Sequence, residues 1–149
     1  EHVLVMRTLS KFGLAGLPLG YLAGTAALID QIDKVRPPYN ISVLTQAAAT
    51  FVLDHYEVLL NQAREIVAGR DELVQSLDRI PGVARFPSQA NFVLIRVPDA
   101  RRAFDGLLSR GILVKDVSQS HPLLRNCLRI TVGTSQENAA FAAALTASI

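Results

Sequence analysis

The feature that most constrains the fold of this chain is a change in the spacing of its apolar residues at Pro81-Gly82. Before this dipeptide, apolar side chains recur at helical spacing over residues 59–80, which predicts a long amphipathic helix. That stripe consists of Leu59, Ala63, Ile66, Leu73, Leu77 and Ile80. After the dipeptide the spacing alternates, which predicts strands over 83–86 and 91–97. In the second strand, Phe92, Leu94 and Arg96 share one side.

More helices and strands follow in the last third of the chain. A helix is predicted to begin at Pro98 or Asp99, and strands are predicted over 112–117 and 127–132. Ser135 is predicted to cap the last helix, since its hydroxyl can accept a bond from the first turn. Helices and short strands in this order predict an α/β fold of the α+β kind, with helices packed on one face of a small, mostly antiparallel sheet.

The first forty residues have a different organisation. An apolar, valine-containing run over 2–7 predicts a buried strand, residues 19–23 predict a second short strand, and residues 26–35 predict a helix. Pro37-Pro38 must end that helix, because adjacent prolines remove backbone donors and push the preceding residue out of the helical region. We therefore place a domain junction here.

The junction predicts one domain over 1–40 and a second over 41–149. Ser42 or Thr45 can start the first helix of the second domain. The pattern leaves open whether the chain from there to Ile80 forms one bent helix or two.

Charge and composition exclude several classes of function. The net charge is only +2 and both signs are scattered, so the sequence predicts no nucleic-acid partner. No apolar run is long enough to cross a bilayer, so we expect no membrane partner. A single cysteine, Cys127, suits a reducing compartment, and a cytoplasmic protein is expected. The three histidines show no metal-ligand spacing, so no metal site is predicted.

The candidate for chemistry is Lys11, which follows the first strand in a loop of small and hydroxyl residues. Thr8 and Ser10 precede it, and glycines at 13, 16 and 20 allow close backbone approach. A lysine in a partly apolar loop can lose its proton and act as a nucleophile. Hydroxyls and backbone N–H groups nearby suit an anionic group on a bound cofactor.

Four blocks in one order resemble a known family. They are Arg7-Thr8-Leu9-Ser10-Lys11 with the glycines after it, Pro38-Tyr39-Asn40, Gln89-Ala90-Asn91-Phe92, and Cys127-Leu128-Arg129-Ile130-Thr131-Val132-Gly133. This pattern resembles the fold-type-I aminotransferases that use pyridoxal phosphate (PLP), and it is most similar to the histidinol-phosphate aminotransferase family. The resemblance runs from residue 1 to about 145. It implies a C-terminal fragment in which a strand-loop remnant of the large PLP-binding domain precedes the whole small domain.

The resemblance implies a role for each candidate residue. Lys11 would hold PLP and move protons, while Thr8 and Ser10 would contact the cofactor phosphate. Arg129 would bind the anionic end of an amino-acid-like substrate, with Asn91 and Lys115 near it. Each residue also has a plainer explanation. Lys11 could be a surface lysine, the hydroxyls could serve loop hydrogen bonds, Arg129 could simply face solvent, and Asn91 could be a turn residue.

Two positions depart from the family pattern, and Pro18 is the main one. Pro18 stands where relatives carry an arginine that grips the cofactor phosphate, and proline has no donor. Lys115 likewise replaces an arginine common among relatives, keeping the charge but losing the fork. Tyr39 and Asn40 follow the double proline and are interpreted as junction residues. Alternatively, they could line a binding pocket.

The expected reaction is amino transfer between histidinol phosphate and 2-oxoglutarate by a homodimer. Relatives carry the acid that pairs with the PLP ring nitrogen before the segment that matches residue 1, so little or no activity is expected of this chain alone. The alternatives are an aromatic-amino-acid aminotransferase, a phospho-amino-acid decarboxylase, or a non-catalytic remnant that binds a partner.

Overall fold

The structure, a computed structural model, describes residues 2–12 and 16–149, and for residues 11 and 12 the backbone alone. Contacts between Cα atoms divide the chain into two compact units, Glu1–Ala63 and Arg64–Ile149. Each unit is described by itself. The junction at residues 40 and 41 stays a prediction.

Both units contain strands and helices. In order, the elements are β1 (Val5–Thr8), a 3-10 turn (Leu9–Phe12), β2 (Gly20–Ala23), α1 (Ala26–Val35), α2 (Val43–Asp54), α3 (Tyr56–Leu77), β3 (Ala84–Arg85), β4 (Phe92–Arg96), α4 (Ala100–Leu108), β5 (Lys115–Asp116), a second 3-10 turn (Pro122–Leu124), β6 (Cys127–Thr131) and α5 (Ser135–Thr146). Among the described helices, none combines the length and the apolar composition needed to span a bilayer.

The first unit begins with a two-stranded antiparallel ribbon. β1 pairs with β2 in a register that joins Val5 to Ala23 and Thr8 to Gly20. Gly20 is required there, because a Cβ atom would lie 2.6 Å from the Arg7 carbonyl oxygen. The prediction of a buried first strand is wrong, since every residue of β1 is exposed and Met6 reaches 76%. An apolar run is buried only where a second layer covers it, and both faces of this ribbon remain accessible.

The helices of the first unit begin and end as their sequences predict. α1 stops at Val35, just before the double proline. Ser42 caps α2 by accepting a hydrogen bond from the Thr45 backbone N–H at 3.1 Å. The chain then leaves helical geometry at His55, where φ is −111° and ψ is 29°. The question of one bent helix or two is therefore answered: α2 and α3 are separate.

The second unit contains a four-stranded sheet in the order β3-β4-β6-β5, with all neighbours antiparallel. β4 and β6 form its centre, and their register pairs Val93 with Ile130 and Ile95 with Leu128. β3 and β5 are each two residues long, shorter than the strands predicted over 83–86 and 112–117. The predicted antiparallel sheet is confirmed.

One face of this sheet carries the core of the unit. Side chains of β4 and β6 pack there against the C-terminal half of α3 and against α4 and α5. The fully buried large side chains of this core are Leu73, Leu77, Ile95, Leu107, Leu128, Leu145 and Val93. The α3 stripe is buried only in this half, since Ile66 remains 40% exposed. The expected mixed α/β architecture, with helices packed on the small antiparallel sheet, is confirmed.

The start of α5 corrects one prediction. Its N-cap is Thr134, not Ser135. The Thr134 hydroxyl accepts a hydrogen bond from the Glu137 backbone N–H at 3.3 Å, and the Glu137 carboxylate accepts one from the Thr134 N–H at 2.8 Å. This reciprocal capping box needs a glutamate three residues after the cap, and Thr134 has one while Ser135 does not.

Candidate functional site

The lysine loop leaves β1 through a 3-10 turn that includes residues 9–12. The Thr8 hydroxyl accepts a hydrogen bond from the Ser10 N–H at 3.1 Å and donates one to the Leu19 carbonyl at 3.4 Å. Thr8 thus makes hydrogen bonds within the loop, and its role toward the cofactor phosphate stays a prediction. The half-buried Ser10 hydroxyl, by contrast, makes no hydrogen bond within the described part of the chain. Of the two hydroxyls, Ser10 is the one free to donate to an anion.

The predicted nucleophile lies at the edge of what the structure describes. The Lys11 backbone belongs to the 3-10 turn, while its side chain lies outside the described residues. Pro18 is exposed on the returning segment, where it adds no donor. A lysine in the turn after a strand can bond to an aldehyde as a nucleophile, and the neighbouring serine hydroxyl can donate to a phosphate, so the residue types present fit PLP.

A second candidate lies on the sheet of the second unit, on the side opposite its core. We call it the open face, and its large or charged side chains are Phe86, Phe92, Leu94, Arg96, Lys115 and Arg129. The register sets one cross-strand row: Leu94 of β4 is paired with Arg129 of β6, which is paired with Lys115 of β5. The predicted substrate residues Arg129 and Lys115 are thus direct neighbours.

Both of these cations are exposed, and neither has a counter-charge in the part of the chain that the structure describes. Among the described residues, neither the Arg129 guanidinium nor the Lys115 ammonium makes a hydrogen bond or an ion pair. Like charges directly opposite each other on neighbouring strands reduce the stability of a sheet. Positive charge without a counter-charge attracts anions, so Arg129 and Lys115 can together bind a carboxylate or a phosphate.

Asn91 lies one residue before β4 and extends its ladder. Its carbonyl accepts a hydrogen bond from the Val132 N–H at 2.9 Å, and its side chain is exposed. The Asn91 backbone is therefore fixed beside β6, while its role toward a substrate stays a prediction.

Tyr39 and Asn40 line a cleft of 630 Å³ in the first unit, together with Arg36. Arg36 donates to the Asn40 side-chain oxygen at 3.2 Å and pairs with Asp33 at 2.7 Å. Tyr39 has a positive φ of 60° and is 98% exposed. Its backbone is strained, because an L residue with this side chain rarely adopts the left-handed region.

Two hydrogen-bonded carboxylates titrate away from their ordinary values. Arg85 donates to Asp78 at 2.7 Å, and this hydrogen bond lowers the pKa of Asp78 while Asp78 raises the pKa of Arg85. The hydrogen bond from the Thr134 backbone lowers the pKa of Glu137. Both are structural contacts, because the first joins β3 to the turn after α3 and the second caps α5.

Comparison with known proteins extends the resemblance over the whole chain. The family model for aminotransferase class I and II matches residues 1–145. A histidinol-phosphate aminotransferase of Polaromonas naphthalenivorans is 60% identical over 149 residues, which is 100% of this chain and 41% of that protein. The chain thus spans about two fifths of the length of this relative.

Solved structures agree in fold. A putative aminotransferase of Burkholderia pseudomallei superposes with a TM-score of 0.85 at 32% identity, covering 97% of this chain and 44% of that one. The histidinol-phosphate aminotransferase of Sinorhizobium meliloti, in complex with pyridoxal-5'-phosphate, gives a TM-score of 0.76 at 30% identity, covering 98% and 40%.

Proposed function

This chain belongs to the family of class I and II aminotransferases, and from that premise we propose that it serves PLP-dependent amino transfer from histidinol phosphate to 2-oxoglutarate. The observation that carries the proposal is the 60% identity to a histidinol-phosphate aminotransferase along the entire chain. Because the chain spans 41% of that relative, the activity is proposed for an enzyme in which this chain is one part.

In this proposal the lysine loop holds the cofactor. The Lys11 amine would bind its aldehyde carbon and would move the proton that leaves the substrate Cα. Ser10, whose hydroxyl is free in the described part of the loop, would donate to the phosphate, with Thr8 beside it. Bound PLP supplies an electron sink for the bond broken at Cα.

Arg129 and Lys115, both on the open face, would bind the substrate's anionic end. Arg129 presents an unshared planar fork that fits either a carboxylate or a phosphate, so one residue can serve both substrates. Lys115, paired across the strand with Arg129, adds a second positive charge without a fork. Asn91 would contribute its exposed amide from the start of β4.

Calorimetry tests the cofactor role. Titrating PLP into the 149-residue chain should give a measurable Kd, and Lys11→Ala should weaken it at least about tenfold, because a covalent link is lost. Lys34→Ala is the matched control, since Lys34 is an exposed helical lysine bonded to Gln31. Equal affinity in the Lys11 and Lys34 variants would count against the proposal.

Ligand competition tests the substrate class. Histidinol phosphate should bind the chain more tightly than histidinol, which lacks the phosphate, and Arg129→Gln should remove the difference. Arg102→Gln removes the same charge from α4, which packs on the other side of the sheet, and should retain the difference. Preference for an aromatic amino acid or for a phospho-amino acid would instead support the related aminotransferase or decarboxylase.

We also propose that the full enzyme is a homodimer in the cytoplasm. Large apolar side chains of the first unit are exposed in this chain, among them Val35 at 80% and Leu44 at 82%. Apolar surface of this kind favours association. Cys127 is buried as a free thiol, which suits a reducing compartment. Light scattering of the full enzyme should give twice the mass of one chain, and a monomer at micromolar concentration would contradict the dimer.

A further inference from the structure

Two arginine–phenylalanine pairs lie on the open face with the same geometry. The Arg129 Cζ atom lies 5.3 Å from the centroid of the Phe92 ring, and the Arg96 Cζ atom lies 5.3 Å from the centroid of the Phe86 ring. Both distances are within the range of a cation–π interaction. The sheet thus holds two guanidinium groups over aromatic rings.

The two arginines differ in what their N–H donors do. Arg96 donates from Nε to the Arg125 carbonyl at 3.1 Å and from Nη2 to the Leu123 carbonyl at 2.6 Å. It therefore fastens the loop before β6 to β4. For Arg129, the ring contact is the one interaction of the guanidinium among the described residues. Its five N–H donors remain available.

An arginine that binds anions needs support that does not occupy its fork. A neighbouring carboxylate would orient the guanidinium but would also neutralise it and compete with the ligand. The face of an aromatic ring also attracts the guanidinium, but it leaves the N–H donors in the plane of the guanidinium without a hydrogen-bond partner and so available to a ligand. Phe92 is half-buried at the start of a central strand, and its ladder partner is Thr131, two residues from Arg129. Its ring is thus attached to a rigid element.

We propose that Phe92 is a positioning residue, which holds the Arg129 guanidinium over its ring so that the free fork is aimed at an incoming carboxylate or phosphate. This inference rests on the proposed role of Arg129 in anion binding. Without the ring, the long arginine side chain must be ordered by the ligand itself, and the loss of rotamer freedom then weakens binding. A contact of this type at an exposed site corresponds to about a two- to five-fold change in Kd.

The test is a titration of the ¹⁵N-labelled chain with inorganic phosphate at constant ionic strength, followed through the arginine Nε–Hε signals. Phe92→Leu should raise the Kd about two- to five-fold, while Phe92→Tyr, which keeps the ring, should restore it. Phe86→Leu is the matched control. It removes the same kind of ring from Arg96, which two bonds to backbone carbonyls already hold in place, and should leave the Kd unchanged.

The outcomes separate the inference from its premise. Unchanged affinity in Arg129→Gln would refute anion binding by Arg129, and the inference would fall with it. Affinity lost in Arg129→Gln but unchanged in Phe92→Leu would overturn the positioning role alone. An equal loss in Phe92→Leu and Phe92→Tyr would also overturn it.

A measurement on the unmodified chain does not depend on how well the variants fold. Nuclear Overhauser contacts should join the Arg129 side chain to the Phe92 ring protons, and the Arg129 Hε resonance should be displaced by the ring current. Phosphate binding without either signal would overturn the inference.

Discussion

Replacing Lys115 by glutamate should make the second unit more stable while weakening its affinity for anions. Lys115 and Arg129 are register partners in β5 and β6, both exposed and without a counter-charge in the described part of the chain. Reversing one charge turns a repulsive cross-strand pair into an attractive one. The same change removes a positive charge from the proposed binding surface.

The size of the effect follows from the spacing of the pair. Directly opposite side chains have Cβ atoms about 5 Å apart, so we take about 7 Å between the charged groups. In a water-like dielectric that gives about 0.6 kcal/mol of repulsion. At low ionic strength, Lys115→Gln removes the repulsion and should raise the free energy of unfolding by about 0.6 kcal/mol. Lys115→Glu replaces the repulsion by an attraction and should raise it by about 1.2 kcal/mol. Screening at 0.15 M salt should reduce both figures to less than half, because the Debye length is about 8 Å.

Urea unfolding followed through the amide signals of β4 and β6 measures the gain. The order of stability should be Lys115→Glu, then Lys115→Gln, then the unmodified chain, with differences that shrink as salt is added. Repeating the series with Arg129→Gln should abolish the gain, because the partner charge is absent. Phosphate should bind most tightly to the unmodified chain, less tightly to Lys115→Gln and least tightly to Lys115→Glu. A gain that persists without Arg129, or a loss of stability, would refute the reasoning.

Three further predictions concern other parts of the chain. Asn138→Ala should lower the free energy of unfolding of the second unit by about 2–4 kcal/mol, measured in urea. The buried Asn138 amide accepts a hydrogen bond from the Gly133 N–H at 3.0 Å and donates to the Gly133 and Gly69 carbonyls. Gln136→Ala is the control, because it truncates an exposed amide in the first turn of the same helix and should change stability little. The free energy of unfolding of the second unit should fall below about pH 4, because folding lowers the pKa of Glu137 and the stabilisation by its carboxylate is lost on protonation. An equally steep fall with pH in Glu137→Gln would exclude this cause. Pro18→Arg should tighten PLP binding about tenfold by calorimetry, because hydrogen bonds to charged groups are worth ~1.5–3 kcal/mol, and an unchanged Kd would contradict the phosphate role of that position.

The sequence predicted the features that depend on local chemistry. Pro37-Pro38 ends α1 and Pro81-Gly82 lies in the turn after α3, because proline and glycine act through their own backbones. The alternation along β4 correctly placed Phe92, Leu94 and Arg96 on one face. The cap of α5 was misplaced by one residue, since two adjacent hydroxyl residues satisfy the simple cap preference and only the reciprocal bond with Glu137 distinguishes them.

Features that depend on which strands and helices pack together could not be predicted from the sequence. Burial of β1 was predicted from its apolar run, yet the ribbon remains exposed because burial requires a covering layer. The pairing of Lys115 with Arg129 depends on sheet order and register, which no spacing within one strand reveals. The same holds for Phe92, whose proposed role depends on a residue 37 positions away on another strand.

We infer that Lys11 is the residue that holds the cofactor. The chain has three lysines, Lys11, Lys34 and Lys115, so one experiment can examine every candidate amine on a side chain. The chain is mixed with substoichiometric PLP, reduced with borohydride, digested and analysed by mass spectrometry. We predict that the phosphopyridoxyl adduct lies on Lys11 and that Lys11→Ala abolishes it. An adduct distributed over Lys34 and Lys115 to the same extent as Lys11 would contradict the claim.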